Sequence, residues 1–371
     1  MSEQDAILDR VAELAPPPEV LLSREVWWRD HQSWLKEHGY LLRPRYAPDW
    51  VPSWKGTDKY PMDCEDNVAS LGGRVLDATR VSDGTMVLLK KTSVSDHPHE
   101  IEIGKYFSSE PLASDPRNHC VRLDEVLDVP DDPDLKVLVM PLLRPLDDPR
   151  FQTVGEAVEF LRQIFEGLQF MHEHAVVHRD CMGLNIMMDP RPLFPKMFHP
   201  RDRHMNREWT GRAKYYSRTK RPTKYLFIDF GISKRYSTQD LPILEPPHWG
   251  GDRTVPEYQN SQEPRDPFPV DVYYIGNMIR EYFFQRFRNL EFMKPLVDDM
   301  VQDEPSKRPT IREVSVRFDS VRQKLSNWKL RSRLKELDED MFTAFFRSTG
   351  HCIRMAYYVT TRHPAIPTPK P

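Results

Sequence analysis

The sequence has few cysteines and no long apolar run. The four cysteines are Cys64, Cys120, Cys181 and Cys352. They lie far apart and form no CxxC pair, so neither a disulfide framework nor a cysteine metal site is expected. No stretch approaches the roughly 20 apolar residues of a membrane helix, and residues 1–20 lack the basic and apolar regions of a signal peptide. These absences predict a soluble intracellular protein, cytoplasmic or nuclear, with no membrane partner.

What the chain does contain is length, proline and an uneven charge. Its 371 residues are too many for one ordinary core and favour two lobes with extensions, and its 34 prolines indicate extended connections. The net charge is −3, yet residues 190–224 hold 11 Lys/Arg and two Asp/Glu. Two interpretations of this basic insertion stay open: an arm for an acidic or nucleic-acid partner, or a solvated surface segment.

The order of predicted elements indicates an α+β fold. Alternating strands flank an Asp-Gly turn at residues 82–84, and a helix over residues 97–107 precedes two more strands. Thr153, followed three residues later by Glu156, predicts the start of a long helix. A last helix is predicted over residues 338–358, with its aromatic side chains packed on the helical half.

The most specific motif is His178-Arg179-Asp180, with Asn185 five residues after Asp180 and Asp229-Phe230-Gly231 further along the chain. An acid, an amide and a second acid before a glycine are the groups that phosphoryl transfer needs. One carboxylate accepts the proton of the attacking hydroxyl, and the other acid and the amide bind Mg²⁺.

These motifs resemble those of the eukaryotic protein-kinase family. The resemblance extends to Val255-Pro256-Glu257, to Arg308 as the partner of Glu257, and to Asp271 as the support of the catalytic-loop backbone. It implies a bilobal fold, with a small, mostly antiparallel β N-lobe that carries one helix and a larger helical C-lobe. The implied boundaries are an extension at 1–60, an N-lobe at 61–143, a C-lobe at 144–328 that contains the insertion 190–224, and a tail at 329–371.

The resemblance also implies ATP and Mg²⁺ as cofactors and a protein hydroxyl as the acceptor, with Ser or Thr favoured over Tyr. The implied catalytic residues are Asp180 with Arg179, Lys90 and its acid partner Glu100; the alternatives are Lys91 for Lys90 and Glu102 for Glu100. Asn185 and Asp229 are the implied metal ligands. The implied nucleotide-binding residues are Gly73, Val75, Ala78, Lys90, Met140, Pro141 and Leu143.

Three departures from the family pattern keep alternatives open. Met182 stands where a lysine is usual, and losing such a cation costs on the order of 10²-fold in rate. The nucleotide loop keeps only Gly72 and Gly73, and Gly250 replaces a hydroxyl residue. The alternatives are a pseudokinase that serves as a nucleotide- or protein-binding scaffold, and a kinase of small molecules. Ser237 and Thr238 are candidate regulatory phosphorylation sites near Arg179.

Overall fold

The protein has an α+β architecture, as the sequence predicts. The structure, a computed structural model, describes residues 19–70, 72–237, 243–259 and 261–370. The chain divides into two compact units. The first comprises Met1–Thr92, Leu127–Leu142 and Lys196–Lys214, and the second comprises Ser93–Val126, Leu143–Pro195 and Tyr215–Pro371.

Ten strands form three sheets among the described residues. They are β1 (Tyr40–Leu41), β2 (Val75–Arg80), β3 (Met86–Ser93), β4 (Glu125–Asp128), β5 (Leu135–Pro141), β6 (Arg144–Pro145), β7 (Val176–Val177), β8 (Ile186–Met188), β9 (Tyr225–Phe227) and β10 (Lys234–Arg235). The largest sheet has the order β1-β2-β3-β5-β4; β6-β8-β9 form a second sheet, and β10 pairs with β7.

The described α-helices are α1 (Ser23–Asp30), α2 (Gln32–Glu37), α3 (Glu100–Ser108), α4 (Val154–Glu173), α5 (Pro256–Gln259), α6 (Phe268–Ile279), α7 (Lys294–Met300), α8 (Ile311–Gln323), α9 (Asn327–Arg331) and α10 (Met341–Thr360). Within the described part of the chain, none of these helices has the length and hydropathy needed to cross a membrane. Most of them belong to the second unit, which is the more helical of the two.

The first unit is built on the hairpin of β2 and β3. Gly84 in the connecting turn adopts a φ of +70°, which glycine tolerates without steric cost, so the predicted Asp-Gly turn is confirmed. Leu76 and Ala78 of β2 and Val87 and Leu89 of β3 alternate inward and join one buried apolar cluster.

A buried ion pair holds α1 in the first unit. The guanidinium of Arg45 donates to both carboxylate oxygens of Glu25, at 3.1 and 3.0 Å, and both side chains are almost fully buried. The hydroxyl of Tyr46 and the backbone N–H of Ser70 also donate to Glu25. Burial opposes ionisation, but hydrogen bonds from Arg45 and from the backbone N–H groups of Leu22 and Ser70 lower the pKa of Glu25 below its usual value. No sequence motif indicated this cluster of interactions.

The second unit is organised around α4. The hydroxyl of Thr153 accepts the N–H of Glu156 at 3.1 Å, which confirms the predicted helix start. Most of the 20 residues of α4 are buried, because strands and helices pack on several of its faces. The segment that contains the His178-Arg179-Asp180 motif therefore follows a well-packed helix.

The predicted packing of the C-terminal helix is wrong in part. His351 and Tyr358 attach α10, through a hydrogen bond to the carbonyl of Arg331 and one with the hydroxyl of Ser217. By contrast, the side chains of Phe342, Phe345 and Phe346 are more than half exposed. The reason is that the face of α10 that carries them is opposite the one that docks, which periodicity alone cannot distinguish.

Candidate functional site

Asp271 of α6 holds the backbone of the loop between β7 and β8. Its fully buried carboxylate accepts the consecutive N–H groups of His178 and Arg179, at 2.8 and 2.7 Å, and lies 3.0 Å from Nε2 of His172. Bonds from backbone amides to a carboxylate are charge-assisted and therefore strong. The predicted support of this loop by Asp271 is confirmed, and Asp180 follows directly after the two anchored amides.

The carboxylate of Asp180 is oriented by groups from two segments. The side-chain amide of Asn185 donates to Oδ2 at 2.7 Å and to the backbone carbonyl of Asp180 at 3.0 Å, while the N–H of Gly251 donates to Oδ1 at 2.7 Å. A carboxylate offers about four lone-pair sites, so each oxygen of this half-buried group can still accept a substrate proton.

Two glycines make the approach of residues 250–251 to the catalytic loop possible. A Cβ on Gly250 would lie 2.5 Å from Oδ1 of Asp180, and a Cβ on Gly251 would collide with the sulfur of Met182. Gly250, the position expected to carry a hydroxyl, therefore has no side chain, and the N–H of the next residue, Gly251, donates to Asp180. Met182 provides a neutral thioether beside this contact.

Asn185 and Asp229 emerge at the same end of a two-stranded ladder. Ile186 of β8 pairs with Phe227 of β9, and the N–H of Ile228 donates to the carbonyl of Asn185 at 2.9 Å. Asp229 comes next, exposed and with a φ of +64°. A non-glycine residue held in this region costs about 1–3 kcal/mol, and such residues concentrate at functional sites.

The oxygens of Asn185 and Asp229 fit a hard cation. Because the amide nitrogen of Asn185 turns toward Asp180, its carbonyl oxygen is directed away from that carboxylate. One amide oxygen and one carboxylate suit Mg²⁺, which keeps several waters and shares its coordination with phosphate oxygens. Among the described residues, no group of three or more His, Cys, Asp or Glu side chains forms a complete protein metal cage.

Phe230 packs the segment after Asp229 against the catalytic loop and α3. Its buried ring lies 5.4 Å from the ring of His178 and 6.3 Å from that of Phe107, measured between centroids. Nε2 of His178 lies 3.0 Å from the carbonyl of Ile228. A further contact that the sequence did not indicate joins Nδ1 of His97 to the carbonyl of Gly231 at 3.0 Å.

Two cations near the catalytic loop share one carboxylate. Arg179 and Lys234 both form ion pairs with Glu245, and Arg179 also donates to the hydroxyl of Tyr236 at 2.8 Å. Burial raises the pKa of Tyr236 to about 12, although Arg179 opposes the rise. Sequence reasoning missed Glu245, because no motif surrounds it. Ser237 lies among the described residues, whereas Thr238 lies outside them.

Cys181 is not a reactive thiol despite its place in the loop. Its side chain is fully buried, and burial raises its pKa well above the usual value, with the charges of Asp271 and Asp180 acting in the same direction.

The register of β3 distinguishes the two candidate lysines. Lys90 pairs with Val75, and both side chains lie on the strand face opposite the apolar cluster. Lys91 lies on the other face, where its ammonium group is 4.3 Å from the ring centroid of Trp27. Burial lowers the pKa of Lys91. Ala78, predicted to contact nucleotide, is on this second face and is buried in the cluster.

The other predicted site residues lie in or beside α3 and β5. Glu100 begins α3 and is buried, whereas its alternative Glu102 is exposed. Met140 and Pro141 end β5, and Leu143 follows two residues later as a buried residue. Of the two acids, Glu100 is therefore the one that faces the protein interior, and its functional role remains a prediction.

Gly73 does not lie in a short turn between two strands. The strand that precedes β2 in the sequence is β1, and residues 42–74 connect them. The indole N–H of Trp28 donates to the carbonyl of Gly73 at 3.1 Å, and Nε of Arg24 donates to the carbonyl of Ser70 at 3.1 Å. A Cβ on Gly73 would lie 3.3 Å from the Cβ of Arg24. Helix α1 therefore packs directly on this segment.

Several arginines of the basic insertion have structural partners. In the first unit, Arg207 donates to the hydroxyl of Thr79 at 2.6 Å, and Arg201 donates to the carbonyl of Ala69 at 3.2 Å. In the second unit, the buried Arg218 donates to the hydroxyl of Tyr225 at 2.7 Å. These contacts fix parts of the insertion, and an acidic or nucleic-acid partner for it remains a prediction.

The buried pair predicted for the second unit is confirmed. Arg308 and Glu257 form two parallel hydrogen bonds of 2.7 and 2.6 Å.

The sequence matches no protein-family model, and no curated protein is significantly similar to it.

Proposed function

We propose that this chain is an ATP-dependent protein kinase that transfers the γ-phosphoryl group to a protein hydroxyl. The proposal includes the bilobal kinase fold that the motifs imply. The observation that carries it is the arrangement of Asp180, Asn185 and Asp229 within the second unit: the first is oriented by two donors, and the other two emerge together from one ladder.

The residues of the chain divide the chemistry among them. Asp180 would accept the proton of the attacking hydroxyl and orient its oxygen toward the phosphorus. Asn185 and Asp229 would hold Mg²⁺, which neutralises charge on the phosphates when bound. The anchored amides of His178 and Arg179 keep Asp180 in place, so little reorganisation is needed during the reaction.

A protein-binding or nucleotide-binding scaffold with little turnover is the second candidate. Two observations favour it. Met182 supplies no cation beside Asp180, and Trp28 of α1 donates a hydrogen bond to the backbone carbonyl of Gly73. In this function the ordered catalytic loop would serve as a rigid surface, and nucleotide would stabilise the fold without being consumed.

Phosphate incorporation from labelled Mg-ATP into general protein acceptors tests both candidates. We expect incorporation by the wild type that requires Mg²⁺ and falls at least about 10²-fold in Asp180→Asn, because the proton acceptor is lost. Asp298→Asn is the matched control, since this exposed carboxylate pairs with Lys294 on the surface, where ion pairs contribute little.

Thermal shift with nucleotide separates the outcomes. A ligand at 100 times its dissociation constant stabilises the folded state by about 2.7 kcal/mol. A Mg²⁺-dependent shift that disappears in Asp229→Ala, together with incorporation, supports the kinase. The same shift without incorporation supports the scaffold. No shift and no incorporation would overturn the kinase and the nucleotide-binding scaffold, and would leave the protein-binding scaffold.

A further inference from the structure

We infer that Glu245 is a positioning residue that holds Arg179 and Lys234 in place without phosphorylation. This inference rests on the proposed kinase function, because it concerns how the proton acceptor of that reaction is kept in place. The sequence offered hydroxyl residues at 237 and 238 as sites where an added phosphate could meet Arg179. In the structure, a carboxylate of the chain itself meets Arg179.

The geometry matches that of an anion site that is already filled. One carboxylate oxygen of Glu245 pairs with Arg179 and the other with Lys234, and the side chains of Glu245 and Arg179 are 15% and 11% exposed. Phosphate groups order such segments by pairing with clustered cations. Here a carboxylate pairs with the same kind of cluster, so no modification is needed to complete it.

The backbone of Glu245 is held independently of its side chain. Its N–H and carbonyl exchange hydrogen bonds of 2.9 and 2.8 Å with Arg265, in an isolated antiparallel bridge. Nearby, Ile243 is buried. The carboxylate therefore extends from a fixed position toward the two cations, and the ion pairs connect two separately anchored parts of the second unit.

The ion pair between Glu245 and Arg179 is directly next to Asp180 in the sequence, because Arg179 precedes Asp180. Arg179 has a φ of +66°, which is strained for a side-chain-bearing residue, and its N–H is bound by Asp271. Lys234 lies in β10, which pairs with Val177 of β7 just before the catalytic loop. Without the carboxylate, the largely buried Arg179 and the partly exposed Lys234 would be neighbouring positive charges without a counter-charge, and their repulsion would displace the loop.

The test compares phosphatase-treated wild-type protein with Glu245→Gln, Glu245→Asp and the control Glu263→Gln. Glu263 undergoes the same substitution, but its side chain is 80% exposed and its carboxylate lies 3.6 Å from the guanidinium of Arg265. This long, exposed ion pair contributes little to stability. The readouts are kcat and KM for phosphate incorporation, and the rate of trypsin cleavage between residues 232 and 254.

We expect the dephosphorylated wild type, checked by mass spectrometry, to keep its full activity. Glu245→Gln should lower kcat about tenfold or more, Glu245→Asp should recover part of the loss, and Glu263→Gln should match the wild type. Glu245→Gln should also be cleaved faster by trypsin. A kcat effect without a matching KM effect distinguishes positioning from a loss of substrate binding.

Two results would overturn the inference while the proposed function stands: activity that appears only after phosphorylation, or Glu245→Gln with unchanged kcat. If no form transfers phosphate, the proposed function fails, and proteolysis alone decides the role of Glu245. In that case, cleavage of Glu245→Gln at the wild-type rate would overturn the inference, and faster cleavage would support it.

Discussion

Removing one partner of the Arg308–Glu257 pair should destabilise the second unit more than any surface change. The side chains are 0% and 2% exposed, and the two groups meet through two parallel hydrogen bonds. In Glu257→Gln the guanidinium of Arg308 stays buried without its counter-charge. Such a loss typically costs about 3–5 kcal/mol.

The surroundings of Arg308 place the expected value toward the lower end of that range. Its guanidinium also donates to the carbonyls of Gln302 at 2.8 Å and Pro269 at 3.2 Å, which partly stabilise the charge that remains. For a unit of this size, each kcal/mol shifts the melting temperature by about 2–4 °C, so we expect a decrease of about 6–15 °C.

A double-mutant cycle measures the pair itself. Urea denaturation gives the free energy of unfolding for the wild type, Glu257→Gln, Arg308→Met and the double variant. The loss in the double variant should be smaller than the sum of the two single losses, because the double variant contains no unpaired buried charge. Asp299→Asn, which breaks the exposed pair with Arg317, serves as the control and should cost less than about 1 kcal/mol. A Glu257→Gln loss as small as the control, or strict additivity, would refute this reasoning.

Two further predictions concern the first unit. Lys90→Met should abolish the proposed phosphate transfer. Lys91→Met should leave the rate of transfer within about twofold of the wild-type rate, because Lys91 packs on Trp27. Equal losses of activity for both variants in steady-state kinetics would contradict the β3 register. Burial would raise the pKa of Glu25, but the hydrogen bonds from Arg45 lower it below the unfolded value of about 4.3. The ionised carboxylate therefore stabilises the folded state fully above that value, and this stabilisation is lost as the pH falls through the lowered pKa of the folded state. Melting temperatures from pH 6 to 3 should therefore fall more steeply for the wild type than for Glu25→Gln, and parallel curves would contradict the assignment.

Features that depend on a short stretch of sequence were predicted well. The cap at Thr153 and the turn at Gly84 are determined by neighbouring residues. The partners of Asp271 and Glu257 were also predicted, because the motifs around these acids resemble family motifs whose partners the resemblance implies. In each case the local pattern contains both sides of the interaction, or the motif implies the other side.

Features that depend on which distant segments meet could not be predicted. Glu245 is one acid among many in the sequence, and only the folded chain brings it to Arg179 and Lys234. The same holds for Trp28, whose indole N–H binds the carbonyl of Gly73 from a helix 45 residues away. Neither helix periodicity nor charge pattern indicates the partner in such contacts.

The position of Asp180 is set by the tertiary structure more than by its own loop. Asp271 fixes the backbone that precedes it, Asn185 and Gly251 each hold one carboxylate oxygen, and Glu245 holds the side chain of Arg179. Glu245 and Gly251 belong to one segment and Asp271 to another, and both segments are far from Asp180 in the sequence, whereas Asn185 belongs to the same loop as Asp180. In the proposed kinase, a proton acceptor held in this way loses its alignment when any one segment moves. We therefore expect substitutions far from Asp180 in the sequence to lower the rate of phosphate transfer, whereas changes to the exposed surface of its own loop should have little effect.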